Sequence, residues 1–269
     1  MSHRYASVSK DLKLAPVGAM DYGLNAIDYC TRLPIAKKLY MMTKKTDEFI
    51  TTLEAELQHH ANAVVAAQQK AYMKDNFEFF GLKASQRRAV QKPFLAKAHL
   101  PSKTEAIEIV KALWQKPQRE FHHIAQELLE KYIKTFEATD IELLEWLIVR
   151  QSWWDTIDFI APRLVGGYMK MYPKQRQVCV DQWLASDNIW LQRTCVLFQL
   201  KYKKDLDTDF LAYVIGKLLG SQEFFINKAI GWILRDYSRI APDWVTQFVQ
   251  DTKGLHSLSR REALRLMKD

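Results

Sequence analysis

Four short segments of this chain share a pattern and recur at a nearly constant interval. They are REFHHIA (119–125), SWWDTID (152–158), NIWLQRT (188–194) and EFFINKA (223–229). Each has an aromatic third residue, and successive aromatic residues lie 33, 36 and 35 positions apart. This period is typical of helical pairs that bury their apolar faces against neighbouring pairs and so stack into a solenoid. The pattern therefore predicts a right-handed solenoid with one concave surface.

The segments around these positions have the spacing of helices. Apolar residues recur about every 3.6 positions in TEAIEIVKALW (104–114) and IELLEWLIV (141–149), and the chain has only nine glycines and eight prolines. Ser102 and Glu105 have the spacing of a capping box at a helix start. Three prolines suit the first turns of helices, namely Pro117, Pro173 and Pro242. We therefore predict an all-α fold.

The first 46 residues lack the repeat pattern. We expect residues 1–46 to form a separate N-terminal arm or extension, with the repeat domain at residues 47–269. The first twenty residues lack the continuous apolar core of a signal peptide, and no run of about 18 apolar residues could span a bilayer. These features predict an intracellular protein, cytoplasmic or nucleoid-associated, that is neither secreted nor bound to a membrane.

The charge of the chain favours a polyanionic partner. There are 39 Lys and Arg residues against 31 Asp and Glu, a formal net charge of +8, which favours nucleic acid first and a membrane surface second. Between residues 163 and 204, eight basic residues and two acidic ones are interleaved with five Tyr and Trp residues. Because basic side chains attract phosphates and aromatic faces stack on bases or sugars, this stretch predicts contact with nucleic acid.

The sequence has no pattern for a metal or a cofactor. Cys30, Cys179 and Cys195 are far apart and lack a C-x-x-C spacing, which argues against a disulfide framework, a zinc site or an iron-sulfur cluster. The pairs His59–His60 and His122–His123 are adjacent, and adjacent residues on a helix point about 100° apart. We therefore expect no metal and no cofactor.

Five residues in or near the repeated segments are candidates for a functional site. Asp158 lies one helical turn beyond Trp154, and Arg193 takes the corresponding place in the next repeat. Lys228 takes that place one repeat later, and Trp232 lies one turn beyond it. Alone, each has a more ordinary interpretation, because repeat aromatics usually pack between helices and such charges usually serve a helix end or a surface ion pair. That structural interpretation is kept for Trp153, Asp155, Trp183 and Trp190. The joint placement of the candidates predicts one groove.

Three long stretches carry a family resemblance. SWWDTID, SDNIWLQRTCVLFQLKYK (186–203) and EFFINKAIGWILRDYS (223–238) closely resemble the AlkD-type DNA alkylation-repair glycosylases, and the resemblance covers about residues 47–268. It implies a solenoid of HEAT-like helical-pair repeats with a concave basic groove that holds double-stranded DNA. It also implies a monofunctional glycosylase that removes cationic N3- and N7-alkylated purines, such as 3-methyladenine and 7-methylguanine, without a metal and without base flipping.

The resemblance also implies roles for single residues. Trp154, Asp158, Arg193 and Trp232 match the residues that line the family's site, and Tyr72 matches a residue near the DNA backbone. A carboxylate at Asp158 would stabilise the positive charge that develops on the deoxyribose as the glycosidic bond breaks. Arg193 would hold a flanking phosphate. Further DNA contacts are expected from four lysines, Lys201, Lys203, Lys204 and Lys228. The protein is expected to act as a monomer.

Two other functions remain open at this point. The chain could be a noncatalytic helical-repeat scaffold that binds nucleic acid or a protein partner, or a related glycosylase that accepts bulkier adducts. The presence of both Asp158 and Arg193 favours the enzyme over the scaffold, because a scaffold has no need of a carboxylate in its groove. No lysine occurs within SWWDTID, so strand cleavage through a Schiff base is not expected.

Overall fold

A computed structural model describes residues 45–267 of the chain, and within that range it is a succession of helices without a strand. The α-helices, in chain order, are α1 (45–59), α2 (Ala63–Tyr72), α3 (Ala84–Gln91), α4 (Lys103–Trp114), α5 (Arg119–Glu130), α6 (Asp140–Ile148), α7 (Trp154–Phe159), α8 (Gly166–Met171), α9 (Pro173–Leu184), α10 (Ile189–Leu197), α11 (Thr208–Lys217), α12 (Phe224–Tyr237), α13 (Pro242–Asp251) and α14 (Ser257–Ala263). Short 3-10 turns occur at Lys97–His99, Ile133–Thr135 and Lys203–Asp205, and a π-helical segment, Ile160–Val165, joins α7 to α8. The predicted all-α helical-repeat fold is confirmed.

Five of these helices begin at a constant interval of 35 residues. Their first residues are Ala84, Arg119, Trp154, Ile189 and Phe224. The repeated aromatic residues lie at slightly different places relative to these starts. Phe121 is the third residue of its helix, Trp154 the first, and Trp190 and Phe225 the second, so their intervals vary between 33 and 36. The helix starts are therefore more regular than the aromatic pattern. Trp153 packs as its structural interpretation predicts, with its ring 5.6 Å from that of Trp190 and 5.4 Å from that of Phe225.

Two further expectations concern helix starts. The capping box forms at α4, where the Ser102 backbone N–H donates to Glu105 Oε2 at 2.9 Å and the Glu105 N–H donates to Ser102 Oγ at 3.3 Å. Pro173 and Pro242 are the first residues of α9 and α13. Proline tolerates this position because the first helical N–H has no acceptor within the helix.

The expectation for Pro117 is wrong, because α5 begins two residues later at Arg119. The backbone around Pro117 pairs instead with Glu78 in an isolated parallel bridge. The Glu78 N–H donates to the Pro117 carbonyl at 3.3 Å, and the Arg119 N–H donates to the Glu78 carbonyl at 2.8 Å. These bonds hold the loop before α3 against the start of α5.

Polar contacts between neighbouring repeats recur at about the repeat length. Tyrosine hydroxyls donate to backbone carbonyls of the preceding repeat, for example Tyr168 to Ala138 and Tyr202 to Gly166, both at 2.7 Å. Ion pairs also join residues 31 to 40 positions apart, among them Arg87–Glu127, Lys103–Asp140, Arg119–Asp155, Glu130–Arg163, Asp158–Arg193, Arg176–Asp207 and Lys228–Glu262. Together with a continuous apolar core, these contacts fix the register of the stack.

The most enclosed of these ion pairs joins Arg119 to Asp155. Arg119 is completely buried, and its Nε and Nη2 donate to the two carboxylate oxygens of Asp155 at 3.0 and 2.6 Å. His123 Nε2 lies 2.8 Å from Asp155 Oδ2. Burial alone would raise the pKa of Asp155, but the hydrogen bonds from His123 and Arg119 outweigh it and hold the pKa well below its usual range. Besides its place in the first turn of α7, Asp155 therefore anchors that helix to α5.

We predict that Asp155→Asn lowers the free energy of unfolding by about 3 kcal/mol at pH 7, because it leaves the buried Arg119 cation without its counterion. A depressed pKa contributes stability above the unfolded pKa of about 3.9, and that contribution is lost as the pH falls towards the folded value. The difference between wild type and variant should thus shrink below about pH 4. Urea unfolding of both proteins at pH 7 and pH 3 measures this difference in the free energy of unfolding. A difference that is independent of pH would contradict the stabilising role of the ionised Asp155 carboxylate.

The predicted N-terminal arm, residues 1–46, falls outside the described range except for its last two residues, which lie in α1. Its boundary and role stay predictions, as does any inference that involves Cys30. Within residues 45–267, no helix combines the length and the apolar character needed to cross a membrane.

Candidate functional site

One surface cavity of about 320 Å³ brings together side chains from α2, α7, α10 and α12. The residues that line it are Tyr72, Trp154, Asp158, Arg193, Phe224, Phe225, Lys228, Trp232 and Arg235. Six residues singled out from the sequence thus share one cavity, and the 35-residue repeat explains how. Asp158, Arg193 and Lys228 are each the fifth residue of their helix, so they hold equivalent positions in three successive repeats.

The centre of the cavity is an ion pair with an asymmetric geometry. Arg193 Nε and Nη2 both donate to the same oxygen of Asp158, Oδ1, at 2.9 and 2.7 Å. The third guanidinium nitrogen, Nη1, donates to the backbone carbonyl of Phe225. The side chain of Arg193 is only 4% exposed, while that of Asp158 is 20% exposed. Within the described part of the chain, Asp158 Oδ2 has no hydrogen-bond partner, so this oxygen is available to a bound molecule.

Burial makes Asp158 a stronger base than an ordinary aspartate. Removal from water raises its pKa, the attraction of Arg193 lowers it, and the neighbouring charge of Asp155 raises it slightly. The net shift of the Asp158 pKa is upward. Asp155 and Asp158 are three residues apart on one helix, yet their pKa values move in opposite directions because only Asp155 has both oxygens paired with donors.

A change of helix type follows Asp158 directly. Pro162 has no N–H and cannot donate to the carbonyl four residues earlier, which is that of Asp158. The helix accommodates the proline as a π-helical segment, Ile160–Val165, before α-helical geometry resumes at Gly166. Such segments are rare and occur often beside functional sites. Here the segment ends the helical turn that carries Asp158 and leads into the rest of the repeat.

Aromatic side chains form the walls and rim of the cavity. Trp154 and Tyr72 meet edge to face, with ring centroids 5.9 Å apart and planes at 86°. Tyr72 is 68% exposed and Phe224 is 58% exposed, which is unusual for large rings that could pack inward. Trp232 contributes from the third turn of α12. Exposed rings around a recessed ion pair suit contact with a flat or apolar ligand surface.

The position of Tyr72 depends on a buried carboxylate from α5. Glu120 accepts hydrogen bonds from the backbone N–H groups of the loop at Phe80, Gly81 and Leu82, at 2.9 to 3.2 Å. Gly81 has a φ of +91°, and a Cβ atom there would lie 2.1 Å from the carbonyl oxygen of Asn62. The loop can therefore approach the start of α2 closely only with glycine at this place. These contacts fix the helix that ends at Tyr72.

Of the four lysines predicted to contact DNA, three lie outside this cavity and one lines it. Lys201, Lys203 and Lys204 are exposed and do not line the cavity. Lys201 lines a separate cavity of about 260 Å³ together with Arg163. Contact of these three lysines with DNA therefore stays a prediction. Lys228 lines the main cavity and pairs with Glu262 at 2.8 Å.

Three residues of the cavity were missed from the sequence, Phe224, Phe225 and Arg235. A signal for Arg235 was available, because it follows Lys228 and Trp232 at the spacing i, i+4, i+7 that places side chains on one face of a helix. Phe225 was noted only as a repeat aromatic. Trp183 is buried and Trp190 packs against the core, in agreement with the structural interpretation of both residues.

His122 has a structural role in the core. His122 is buried, with Nε2 2.9 Å from the Lys116 carbonyl and Nδ1 3.0 Å from Arg119 Nη1. Burial lowers the pKa of His122 to about 3, so the ring is neutral at physiological pH. Among residues 45–267, no group of three or more His, Cys, Asp or Glu side chains could hold a metal ion.

A sequence profile described as DNA alkylation repair enzyme matches residues 53–267, which is most of the chain. The chain belongs to the DNA alkylation repair enzyme family. It is similar to a solved structure described as a predicted DNA alkylation repair enzyme from Enterococcus faecalis, with a TM-score of 0.72 and 28% sequence identity. That similarity covers 78% of this chain and 97% of the other. Among curated proteins, none matches this chain significantly.

In this member of the DNA alkylation repair family, Arg193 is placed differently from the sequence-based expectation of a phosphate contact. Its three nitrogens donate to Asp158 and to the Phe225 carbonyl, and the side chain is almost fully buried. A guanidinium held in this way is better suited to orient the carboxylate than to grip DNA. We therefore propose an orienting role for Arg193.

We predict that Arg193→Gln raises the pKa of Asp158 further, because it removes the cation that opposes the effect of burial. Arg193→Lys, which keeps a positive charge, should raise it less. Carboxyl-carbon NMR titration of the Asp158 side chain measures both values in the absence of any ligand. An unchanged or lower pKa in Arg193→Gln would show that the ion pair does not control this carboxylate.

Proposed function

We propose that this chain is a monofunctional DNA glycosylase that hydrolyses the N-glycosidic bond of cationic N3- and N7-alkylated purines in duplex DNA. The observation that carries the proposal is the carboxylate of Asp158. One of its oxygens is fixed by two hydrogen bonds from Arg193, and the other has no partner among residues 45–267 and lies in a surface cavity. A family that repairs alkylated DNA supplies the substrate class, and the cavity supplies an anion that can act on it.

The chemistry requires little from the protein. Alkylation at N3 or N7 gives the purine a positive charge, so the base leaves as a neutral molecule with the bonding electron pair and needs no protonation. Positive charge then develops on the deoxyribose, and a preorganised carboxylate nearby stabilises it. A water molecule adds to the anomeric carbon and releases one proton. Asp158 Oδ2 is the group that would face the sugar and orient this water.

The aromatic residues give the cavity a preference for charged nucleotides. The π faces of Trp154 and Trp232 attract cations, an effect of about 0.5 to 2 kcal/mol. Neither this attraction nor the action of Asp158 requires the base to enter an enclosed pocket. The exposed side chains of Tyr72 and Phe224 at the edge of the cavity are consistent with a base that stays outside, because they leave room for a duplex beside the cavity. We therefore propose that the damaged nucleotide stays in the helical stack.

Contacts with the DNA backbone would come from basic residues outside the cavity. Lys201, Lys203 and Lys204 are exposed in the region between α10 and α11, whereas Lys228 lines the cavity and is paired with Glu262. Such contacts bind every sequence about equally and depend strongly on salt. We propose that they hold the duplex while recognition of the damage rests on charge, so little sequence preference is expected.

The decisive variant is Asp158→Asn. Because it removes the anion and leaves the shape unchanged, we expect release of 7-methylguanine from methylated duplex DNA to fall by at least about 10²-fold. Single-turnover release of the free base measures this, with folding checked by thermal denaturation. Equal release by the wild type and Asp158→Asn would show that the Asp158 carboxylate does not stabilise the positive charge on the sugar. Duplexes with bulkier N3 or N7 adducts, run in parallel, define the range of substrates.

Asp187→Asn is a matched control for that experiment. Asp187 is exposed, does not line the cavity and makes no ion pair within the described part of the chain. The same change of charge should leave the rate at the wild-type value. If the wild type binds DNA but releases no base, the chain is a noncatalytic scaffold instead.

The rate should depend on pH through one group. Because Asp158 must be ionised and burial raises its pKa, the rate should fall on the acid side at a higher pH than an ordinary aspartate would give. No decline is expected on the alkaline side, because the cationic base needs no general acid. Initial rates between pH 4.5 and 8 measure the profile. A bell-shaped curve would indicate that a second, protonated group takes part.

A further inference from the structure

The far wall of the cavity contains two cations that share one buried carboxylate. Glu262 of α14 accepts a hydrogen bond from Lys228 Nζ at 2.8 Å through Oε1, and another from Arg235 Nη1 through Oε2. Lys228 and Arg235 both line the cavity, whereas Glu262 lies behind them and does not. The hydrogen bond from Lys228 lowers the pKa of Glu262, so its carboxylate is ionised at neutral pH.

The backbone holds Glu262 in this position. Gly231 of α12 faces α14, and a Cβ atom on it would lie 2.5 Å from the Cβ of Glu262 and 3.0 Å from the carbonyl oxygen of Ser259. The hydroxyl of Ser259 donates to the Asn227 carbonyl at 2.8 Å. Because α12 and α14 meet so closely, Glu262 has little freedom to move away from the two cations.

The charges around the cavity are therefore nearly balanced. Arg193, Lys228 and Arg235 contribute three positive charges. Asp158 pairs with the first, and Glu262 pairs with the other two. Without Glu262, two cations would face the cavity in which, under the proposed function, a sugar becomes positively charged. An extra positive charge beside the cavity opposes that change, and the opposition is stronger at a partly buried site than in bulk water.

We propose that Glu262 is a positioning residue that sets the charge of the cavity, holding Lys228 and Arg235 so that they neither repel the cationic transition state nor bind phosphate indiscriminately. The catalytic half of this inference rests on the proposed glycosylase function. The electrostatic half concerns binding to DNA and stands independently of it.

Glu262→Gln tests the proposal with minimal change of shape, because the Cβ contact with Gly231 is retained. Freed from their counterion, Lys228 and Arg235 should contact phosphates, so binding to an undamaged duplex should tighten at low salt. The slope of log K against log salt should become steeper by about two, one for each of the two new phosphate contacts. Under single-turnover conditions, release of 7-methylguanine should fall by about tenfold. A purely structural role would change neither the slope nor the rate per folded molecule.

Two further variants make the result specific. Glu262→Asp keeps the charge and should restore the wild-type salt slope. Asp140→Asn removes a buried carboxylate from another pair between repeats, with Lys103 at 2.7 Å, whose members do not line the cavity. It should lower the melting temperature without steepening the slope.

An unchanged slope in Glu262→Gln would overturn the proposal, as would a rate that falls only in proportion to the folded fraction. If wild-type protein releases no base at all, the glycosylase function fails, and the slope on undamaged DNA still decides whether Glu262 controls the charge of the cavity.

Discussion

A constant interval of 35 residues between helix starts places equivalent side chains of successive repeats next to each other. Asp158, Arg193 and Lys228 are one such set, and the first two form the ion pair at the centre of the cavity. Because these side chains hold equivalent positions, a change of one residue in the length of a repeat would rotate one member of the set away from the others. The hydrogen bonds and ion pairs between repeats maintain this register and thereby hold the candidate site together.

The same helix carries one carboxylate that stabilises the fold and one that is available for chemistry. Asp155 has both oxygens engaged by Arg119 and His123, so folding favours its ionised form. Asp158 has one oxygen engaged, and burial raises its pKa. The fold therefore tolerates an incompletely satisfied charge at the site while a fully satisfied one, a single turn away, anchors the helix. Functional sites commonly retain groups of this kind, which lower the stability of the fold but are needed to act on a ligand.

Much of this arrangement could be predicted from local sequence. The scarcity of glycine and proline and the 3.6-residue spacing identified the helices, and the repeated segments identified Trp154, Asp158 and Arg193 as residues near one groove. The partners could not be predicted, because the carbonyl of Phe225 and the carboxylate of Glu262 come from other repeats and depend on which atoms are buried. Whether Arg193 faces a phosphate or is buried against Asp158 could not be decided without the distances between helices, whereas the packing role of Trp153 was predicted from the sequence.

The charge pattern of the molecule separates two tasks that would otherwise conflict. A net charge of +8 attracts duplex DNA over a range limited by ionic screening, about 8 Å at physiological salt. A cationic nucleotide is repelled by the same charge unless the nearest cations are already paired. Asp158 and Glu262 pair the three cations that line the cavity, and one oxygen of Asp158 remains unpaired. Under the proposed function, attraction for the DNA backbone would thus come from the surrounding surface, while the cavity itself would present a negative atom to a positive substrate.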